Sequence, residues 1–139
     1  MSQAVGTNPS KGGRVAVDGP WLDGSHGHTV NKTWYCYGKE SDVVRPSPAQ
    51  LWIFVDEDEY SINDGGFAVD GPGAPVKMID WPGSYHNNAC GFAFADGHSE
   101  IHKWKDPRTK VLKGNVTAAN QAGNQDIIWM QQGVSAKIN

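Results

Sequence analysis

Aromatic residues alternate with small ones before Asp96-Gly97, and a mostly polar run with Ile101 in its middle follows it, in the stretch "GFAFADGHSEIHKW" of residues 91–104. An Asp-Gly pair between two alternating runs is a strong short-range signal for a β-hairpin with a two-residue type I′ loop. With that loop, Phe92 on the first strand lies directly opposite Ile101 on the second strand. The predicted core face of the hairpin consists of Phe92, Phe94 and Ile101.

The predicted outer face of the hairpin carries the pattern His-x-Glu-x-His, formed by His98, Glu100 and His102. Alternate residues of a strand are about 6.6 Å apart, so the two histidines lie roughly 13 Å apart and cannot both bind one ion. His98 together with Glu100 could hold a metal. The plainer alternative is a polar face that is covered by water or by a loop.

Further apolar runs predict a small antiparallel sheet around this hairpin. The run "LWIFV" (51–55) stands between "RPSP" and "DEDE" and predicts a central strand, whereas "KTWYCYG" (32–38) and "GFAV" (66–69) predict two more strands. The apolar residues in "IIWMQQ" near the C terminus predict a helix of about two turns. These elements together predict the α+β class.

The length of 139 residues is that of one ordinary domain. Residues 1–31 are polar and rich in glycine, and their turn signals predict an irregular arm. The predicted organisation is therefore a single domain over residues 1–139, with this arm followed by a β-sheet head over residues 32–139. Seventeen glycines and eight prolines in the whole chain fit short strands joined by many turns.

Charge and hydropathy exclude several classes of partner. The chain has 12 basic and 15 acidic residues, a net charge of −3, and no basic stripe, so nucleic acid is not an expected partner. No apolar run reaches the roughly 18 residues of a membrane span, and the start "MSQAVGTNPSKGG" has no signal-peptide pattern. These features predict a soluble chain without an export signal.

The chain has two cysteines, Cys36 and Cys90, and they do not have CxxC spacing. Two free thiols and one disulfide are both compatible with the sequence.

Oxygen-bearing side chains cluster near the C terminus, in "AANQAGNQDIIWMQQ". Asn120, Asn124 and Asp126 offer oxygen ligands, and Gly123 permits a sharp turn, which is the donor chemistry that calcium prefers. The alternative is that Asn124 or Asp126 caps a helix that begins near Ile127. A second acidic stretch, "DEDEYSIND" (56–64), is either a solvated loop or a second cation site.

The spacing of His86, nine further residues, and then Asp96-Gly97 resembles the H-x9-DG signature of pseudopilin-like proteins that carry a prepilin-type leader. The blocks "RPSPAQLWIFVDEDEYSINDGGFAV" and "DWPGSYHNNACGFAFADGHSEIHKW" are similar to blocks of that family in the same order. The terminal "NQDIIWMQQ" is also similar to the end of the major pseudopilins of type II secretion. The resemblance covers most of residues 45–132.

The resemblance implies a structural head domain of a type II secretion or type IV pilus-like assembly, in the cell envelope or outside the cell. Its implied partners are other pseudopilin subunits. It also implies a calcium ion, held by Asp126 with Asn120, Asn124 and carbonyl groups of residues 118–123, that ties the C-terminal loop to the sheet. The loop "NQAGNQ" lacks the acidic, Gly-rich "DG-x-x-GG" of the major pseudopilins, so we expect weaker cation binding. The leader and long apolar helix of the family are not among these residues, which predicts a head without its stalk.

An enzyme is the alternative to a structural role. The chain has no G-x-S-x-G elbow, P-loop or HExxH motif. A calcium ion could nevertheless activate water while His86, Asp96 or His98 moves the proton, which would give metal-assisted hydrolysis of a small ester or lactone. For His86 the plainer alternative is a hydrogen-bonded structural role.

Overall fold

The computed structural model describes residues 1–2, 4–5, 33–63, 65–110 and 118–138. The strands and the α-helix in these residues are β1 (Trp52–Val55), β2 (Lys77–Met78), β3 (Ala89–Phe94), β4 (Ser99–Lys103), β5 (Ala119–Asn120) and α1 (Gln125–Val134), with short 3-10 helices at Glu40–Asp42 and Pro107–Thr109. An antiparallel sheet has the strand order β1-β3-β4, and β2 pairs with β5 in a second antiparallel sheet. The predicted α+β class, with a small antiparallel sheet and a short C-terminal helix, is confirmed.

The hairpin is present, but its register differs by one residue from the predicted one. Phe92 lies opposite Glu100, and Gly91 lies opposite Ile101. The loop has three residues, because the Phe94 amide donates to the His98 carbonyl at 2.9 Å, and it closes through Gly97 at φ +91°. A three-residue loop with its last residue in the left-handed region is the next most common hairpin loop, and it also favours Asp-Gly.

This shift exchanges the faces of β4. Phe92 and Phe94 are buried as predicted, whereas Ile101 is 60% exposed on the outer face. The side chains of His98, Glu100 and His102 instead share the inner face with Phe92 and Phe94, because directly paired residues point to the same side of a sheet. The prediction that Ile101 belongs to the core is therefore wrong.

The core lies between the inner face of the sheet and α1. The Trp52 ring is completely buried and meets the rings of Phe67 and Phe92 edge-on, with centroids 6.0 and 5.9 Å away. Its indole nitrogen donates to the Met130 carbonyl of α1 at 2.9 Å. Ile127, Met130 and Val134 supply the buried face of the helix. The contact of Trp52 with α1 fixes the helix against the sheet.

Three of the predicted strands need correction. Residues 51–55 contain β1, but β1 is an edge of the three-stranded sheet and β3 is its centre. The described part of 32–38 makes only isolated bridges, between Trp34 and Lys137 and between Tyr37 and Val5, and 66–69 makes one between Phe67 and Ser2. Most of the predicted arm at 1–31 lies outside the described residues.

Two further predictions concern cysteine and membranes. Cys36 and Cys90 are both free thiols, and Cys90 is buried. Burial raises the pKa of the Cys90 thiol to about 12, so it stays protonated at neutral pH. In the described part of the chain, no helix combines the length and the apolarity that crossing a bilayer requires.

Candidate functional site

The tip of the hairpin is held by an acid-histidine pair. The Asp96 carboxylate accepts a hydrogen bond from the His98 amide at 3.1 Å, and its Oδ1 lies 2.5 Å from His98 Nδ1. Hydrogen bonds from the His98 side chain and amide hold the pKa of Asp96 below its ordinary value. The His98 ring is also stacked on the Phe94 ring, with centroids 4.3 Å apart and planes inclined by 4°. Asp96 and His98 thus stabilise the turn and fix the ring of His98.

A second acid-histidine pair lies at the other end of β3. His86 Nε2 is 3.6 Å from Asp56 Oδ2, and both side chains are about half exposed. The same Asp56 oxygen accepts the Gly91 amide at 3.1 Å, so the carboxylate lies over β3. Asn87 and Asn88 follow with φ of 55° and 64°, a left-handed conformation that Asn tolerates better than most residues. The chain turns sharply here and enters β3.

The three residues of the predicted hydrolytic site do not come together. Asp96 and His98 are neighbours at the hairpin tip, whereas His86 lies before the start of β3. Six residues of extended strand span roughly 17 Å, which places His86 far outside hydrogen-bond reach of Asp96. The nine-residue spacing of the H-x9-DG stretch instead corresponds to one strand between two turns.

Asp126 is a buried acid whose hydrogen bonds come from three other residues. The residue is 1% exposed, and its carboxylate accepts hydrogen bonds from the Lys105 amide, from the Asp106 amide at 2.9 Å, and from the Thr109 hydroxyl at 2.8 Å. The residue also lies in the first turn of α1, where a negative charge is favoured by the helix dipole. Asp126 therefore joins the start of α1 to the segment that follows β4.

Asn124 has the capping role that was one of the two sequence alternatives. Its Oδ1 accepts the amides of Asp126 at 2.9 Å and Ile127 at 3.3 Å, while its Nδ2 donates to Gln121 at 2.7 Å. The helix begins at Gln125, two residues before the predicted start, and its 10 residues exceed the predicted two turns. Asn124 is completely buried, so its hydrogen bonds satisfy a side chain that has no access to water.

The predicted calcium ligands do not form an open cluster of oxygens. The carboxylate of Asp126 and the Oδ1 of Asn124 already accept donors from the protein, and Asn120 is an exposed residue of β5, opposite Lys77. Among the described residues, no group of three or more His, Cys, Asp or Glu side chains is placed to hold a metal ion. These oxygen atoms do not fit a resident calcium ion in their present arrangement. The ion would have to displace the N–H and O–H groups that donate hydrogen bonds to them. Calcium stays a prediction from the resemblance.

The His-x-Glu-x-His face of β4 is packed against aromatic side chains. The His102 ring is stacked on the Trp129 ring of α1, with centroids 3.7 Å apart and an interplanar angle of 16°. Burial lowers the pKa of His102, although the negative charges of Asp126 and Glu100 partly oppose this effect. The sequence analysis predicts, as one alternative, that water or a loop covers this face of β4. In the structure, α1 covers part of this face.

Sequence reasoning missed two of these arrangements. Asp56 belongs to the acidic stretch for which the sequence predicts either a solvated loop or a cation site, and no motif links it to its partner His86, which lies 30 residues away. The donors to Asp126 were also missed, although Asp106 followed by Pro107 is a local signal for the start of a helical turn. That signal predicts the helical turn, but it does not predict which carboxylate accepts the hydrogen bonds of the turn.

Comparison of the chain with protein-family models, with curated proteins and with solved structures found no match.

Proposed function

We propose that this chain is a pseudopilin-like head domain with a structural role in a type II secretion or type IV pilus-like assembly. The observation that carries the proposal is the position of the H-x9-DG residues. His86 lies at the turn before β3, and Asp96-Gly97 forms the turn after it, so the motif brackets the central strand of the sheet. Such residues stabilise a fold, which suits a subunit without chemistry of its own.

The joint at Asp126 supports the same role. The resemblance implies that the aspartate of the terminal "NQDIIWMQQ" block, Asp126, helps hold the calcium ion that ties the C-terminal loop to the sheet. Here Asp126 ties α1 to the residues after β4 through hydrogen bonds with Lys105, Asp106 and Thr109. This tie lies at the end of the chain where the resemblance implies one, and it is made by hydrogen bonds, which supports the proposal. The calcium of the resemblance is not required by this proposal.

The test is whether the product of the gene that encodes this chain enters an envelope fibre. Surface fibres sheared from source cells are probed with an antibody against residues 33–138, in parallel with cells that lack prepilin peptidase. We expect the antigen in the fibre fraction of the first cells and its loss from that fraction in the second. An antigen that fractionates identically in both strains would contradict the proposal.

The alternative hydrolase has a separate test. The hydrolase requires a metal ion beside His86, Asp96 or His98, and the described residues contain no group of three or more His, Cys, Asp or Glu side chains that could hold one. We therefore expect no turnover of a panel of small esters and lactones, with calcium or with chelator. Calcium-dependent turnover that is lost in both His86→Ala and Asp96→Ala would favour the enzyme instead. An inactive triple variant of His86, Asp96 and His98 that still enters fibres would separate the two functions.

A further inference from the structure

A small cavity opens on the inner face of the hairpin, beside α1. Its volume is about 190 Å³, less than the roughly 300 Å³ at which sites for drug-sized ligands begin. Three aromatic side chains and three polar ones contribute most of its lining: Trp52, Phe94, Trp129, Gln50, Glu100 and Gln132. An aromatic cavity of this size that also contains a carboxylate is suited to a small charged group.

The carboxylate belongs to Glu100, which lies between two ring stacks. Along the inner face of β4, His98 is stacked on Phe94 and His102 is stacked on Trp129. Glu100 is the residue midway between these histidines, and its pairing with Phe92 directs its side chain to the same face. Glu100 therefore lies on the inner face between the two stacks, where it lines the cavity.

The negative charge of Glu100 is only weakly balanced by other side chains of the described residues. In the described part of the chain, the ion pair of Glu100 is with His102 Nδ1, at the long distance of 4.0 Å. Burial against Trp129 lowers the pKa of His102, so this ring is uncharged at neutral pH and does not balance the carboxylate. The side chain of Glu100 is 45% exposed, which leaves it accessible to a ligand from solution.

We propose that this cavity binds a small organic cation, such as a quaternary ammonium group or the ammonium of a lysine side chain. Aromatic ring faces attract cations through the ring quadrupole, and a carboxylate in the same cavity adds direct charge attraction. Gln132 also lines the cavity, and a glutamine amide oxygen can accept a hydrogen bond from a protonated amine, whereas the Gln50 amide oxygen already accepts from the Ser47 hydroxyl at 3.0 Å. The inference goes beyond the proposed structural role, since it assigns a ligand to the head domain.

The experiment compares choline with 3,3-dimethylbutan-1-ol, a neutral molecule of the same shape, by following the indole NH signals of the protein during titration. The chain has six tryptophans, and the signal of Trp129 is identified by its loss in Trp129→Phe. We expect saturable shifts of the Trp129 signal with choline, and binding of the neutral molecule weaker by roughly tenfold. Equal binding of choline and the neutral molecule would overturn the proposal.

Two variants and one control separate charge from packing. Glu100→Gln should weaken choline binding several-fold and leave binding of the neutral molecule unchanged. Gln132→Glu adds a carboxylate at the exposed rim of the cavity and should strengthen choline binding. Glu40→Gln removes an exposed carboxylate that does not line the cavity and should change nothing. Choline binding that is identical in all three variants would show that Glu100 does not attract the ligand.

A second arm identifies the source of the cation. N-acetyl-lysine methylamide and its ε-trimethylated form are titrated under the same conditions as choline. Binding of choline alone indicates a free quaternary amine, and binding of either lysine derivative at comparable concentration indicates a side chain of a peptide. Failure of all three cations to shift the Trp129 signal would overturn the inference.

Discussion

His102 lies flat against Trp129, with 3.7 Å between ring centroids, although the two residues come from different elements of the fold. Burial in this stack lowers the pKa of His102 from its ordinary 6.5. The folded state therefore binds the proton less readily than the unfolded state. His102 consequently links the stability of the contact between β4 and α1 to pH.

We expect the free energy of unfolding to decrease as the pH falls below about 6.5, since His102 then takes up a proton preferentially in the unfolded state. The stabilising contribution is complete above that pH and is lost as the pH falls through the lowered pKa. Urea unfolding between pH 7.5 and pH 5 measures this slope. His102→Phe keeps a stacking ring without a titratable group and should flatten the slope, whereas an unchanged slope would assign the pH dependence to other groups.

Asp126→Asn should destabilise the domain by about 3 kcal/mol, because the amide leaves donors from Lys105, Asp106 and Thr109 without a charged acceptor. Chemical denaturation at neutral pH measures the loss. Asp42→Asn is the matched control, since Asp42 is exposed, and it should change stability by less than about 0.5 kcal/mol. Equal effects of the two substitutions would show that the hydrogen bonds of Asp126 contribute little.

Calcium should leave the melting temperature unchanged relative to chelator, since the oxygens of Asp126 and Asn124 are occupied by protein donors. Thermal melts in millimolar calcium, in millimolar magnesium and in chelator test this expectation. A calcium-specific rise that disappears in Asp126→Ala would show that the ion displaces those donors, as the pseudopilin resemblance predicts. A rise that disappears instead in Asp56→Ala would place the ion on the acidic stretch after β1.

Gly133→Ala should destabilise the domain by about 1–3 kcal/mol, because the added methyl group overpacks the contact between α1 and β1. An added Cβ would lie 2.7 Å from the Trp52 ring and 2.8 Å from the Gln50 carbonyl, although alanine is intrinsically the better helix former. Gly65→Ala is the control, since nothing lies within 4 Å of its added Cβ. A stabilising Gly133→Ala would show that Trp52 and α1 can separate without cost.

The register of the hairpin has its own test. Ile101→Thr should change the free energy of unfolding by less than about 0.5 kcal/mol, because Ile101 is 60% exposed, whereas Phe92→Ala should cost about 3–5 kcal/mol. Denaturation of both variants under one condition makes the comparison. A loss of several kcal/mol in Ile101→Thr would support the two-residue loop that the sequence pattern predicts, since that loop places Ile101 in the core.

Features that depend on neighbouring residues could be predicted from the sequence. Asp96-Gly97 predicts the hairpin, and Asn124 before an apolar run allows a helix cap as one of two alternatives, because turns and caps are made by hydrogen bonds within a few residues. The burial of Phe92 and Phe94 followed from alternation along one strand. These predictions needed no knowledge of distant parts of the chain.

Which residues face each other across the sheet and the helix depends on the packing of the whole fold. An Asp-Gly pair fits both two-residue and three-residue loops, so local chemistry left the register open by one residue, and the packing of Glu100 opposite Phe92 is a property of the whole sheet. The partners described for Asp126, for Asp56 and for Trp129 come from segments 17 to 35 residues away. Their contacts depend on how the segments pack, because hydrogen bonds and ring stacking across such separations leave no periodic trace in the sequence.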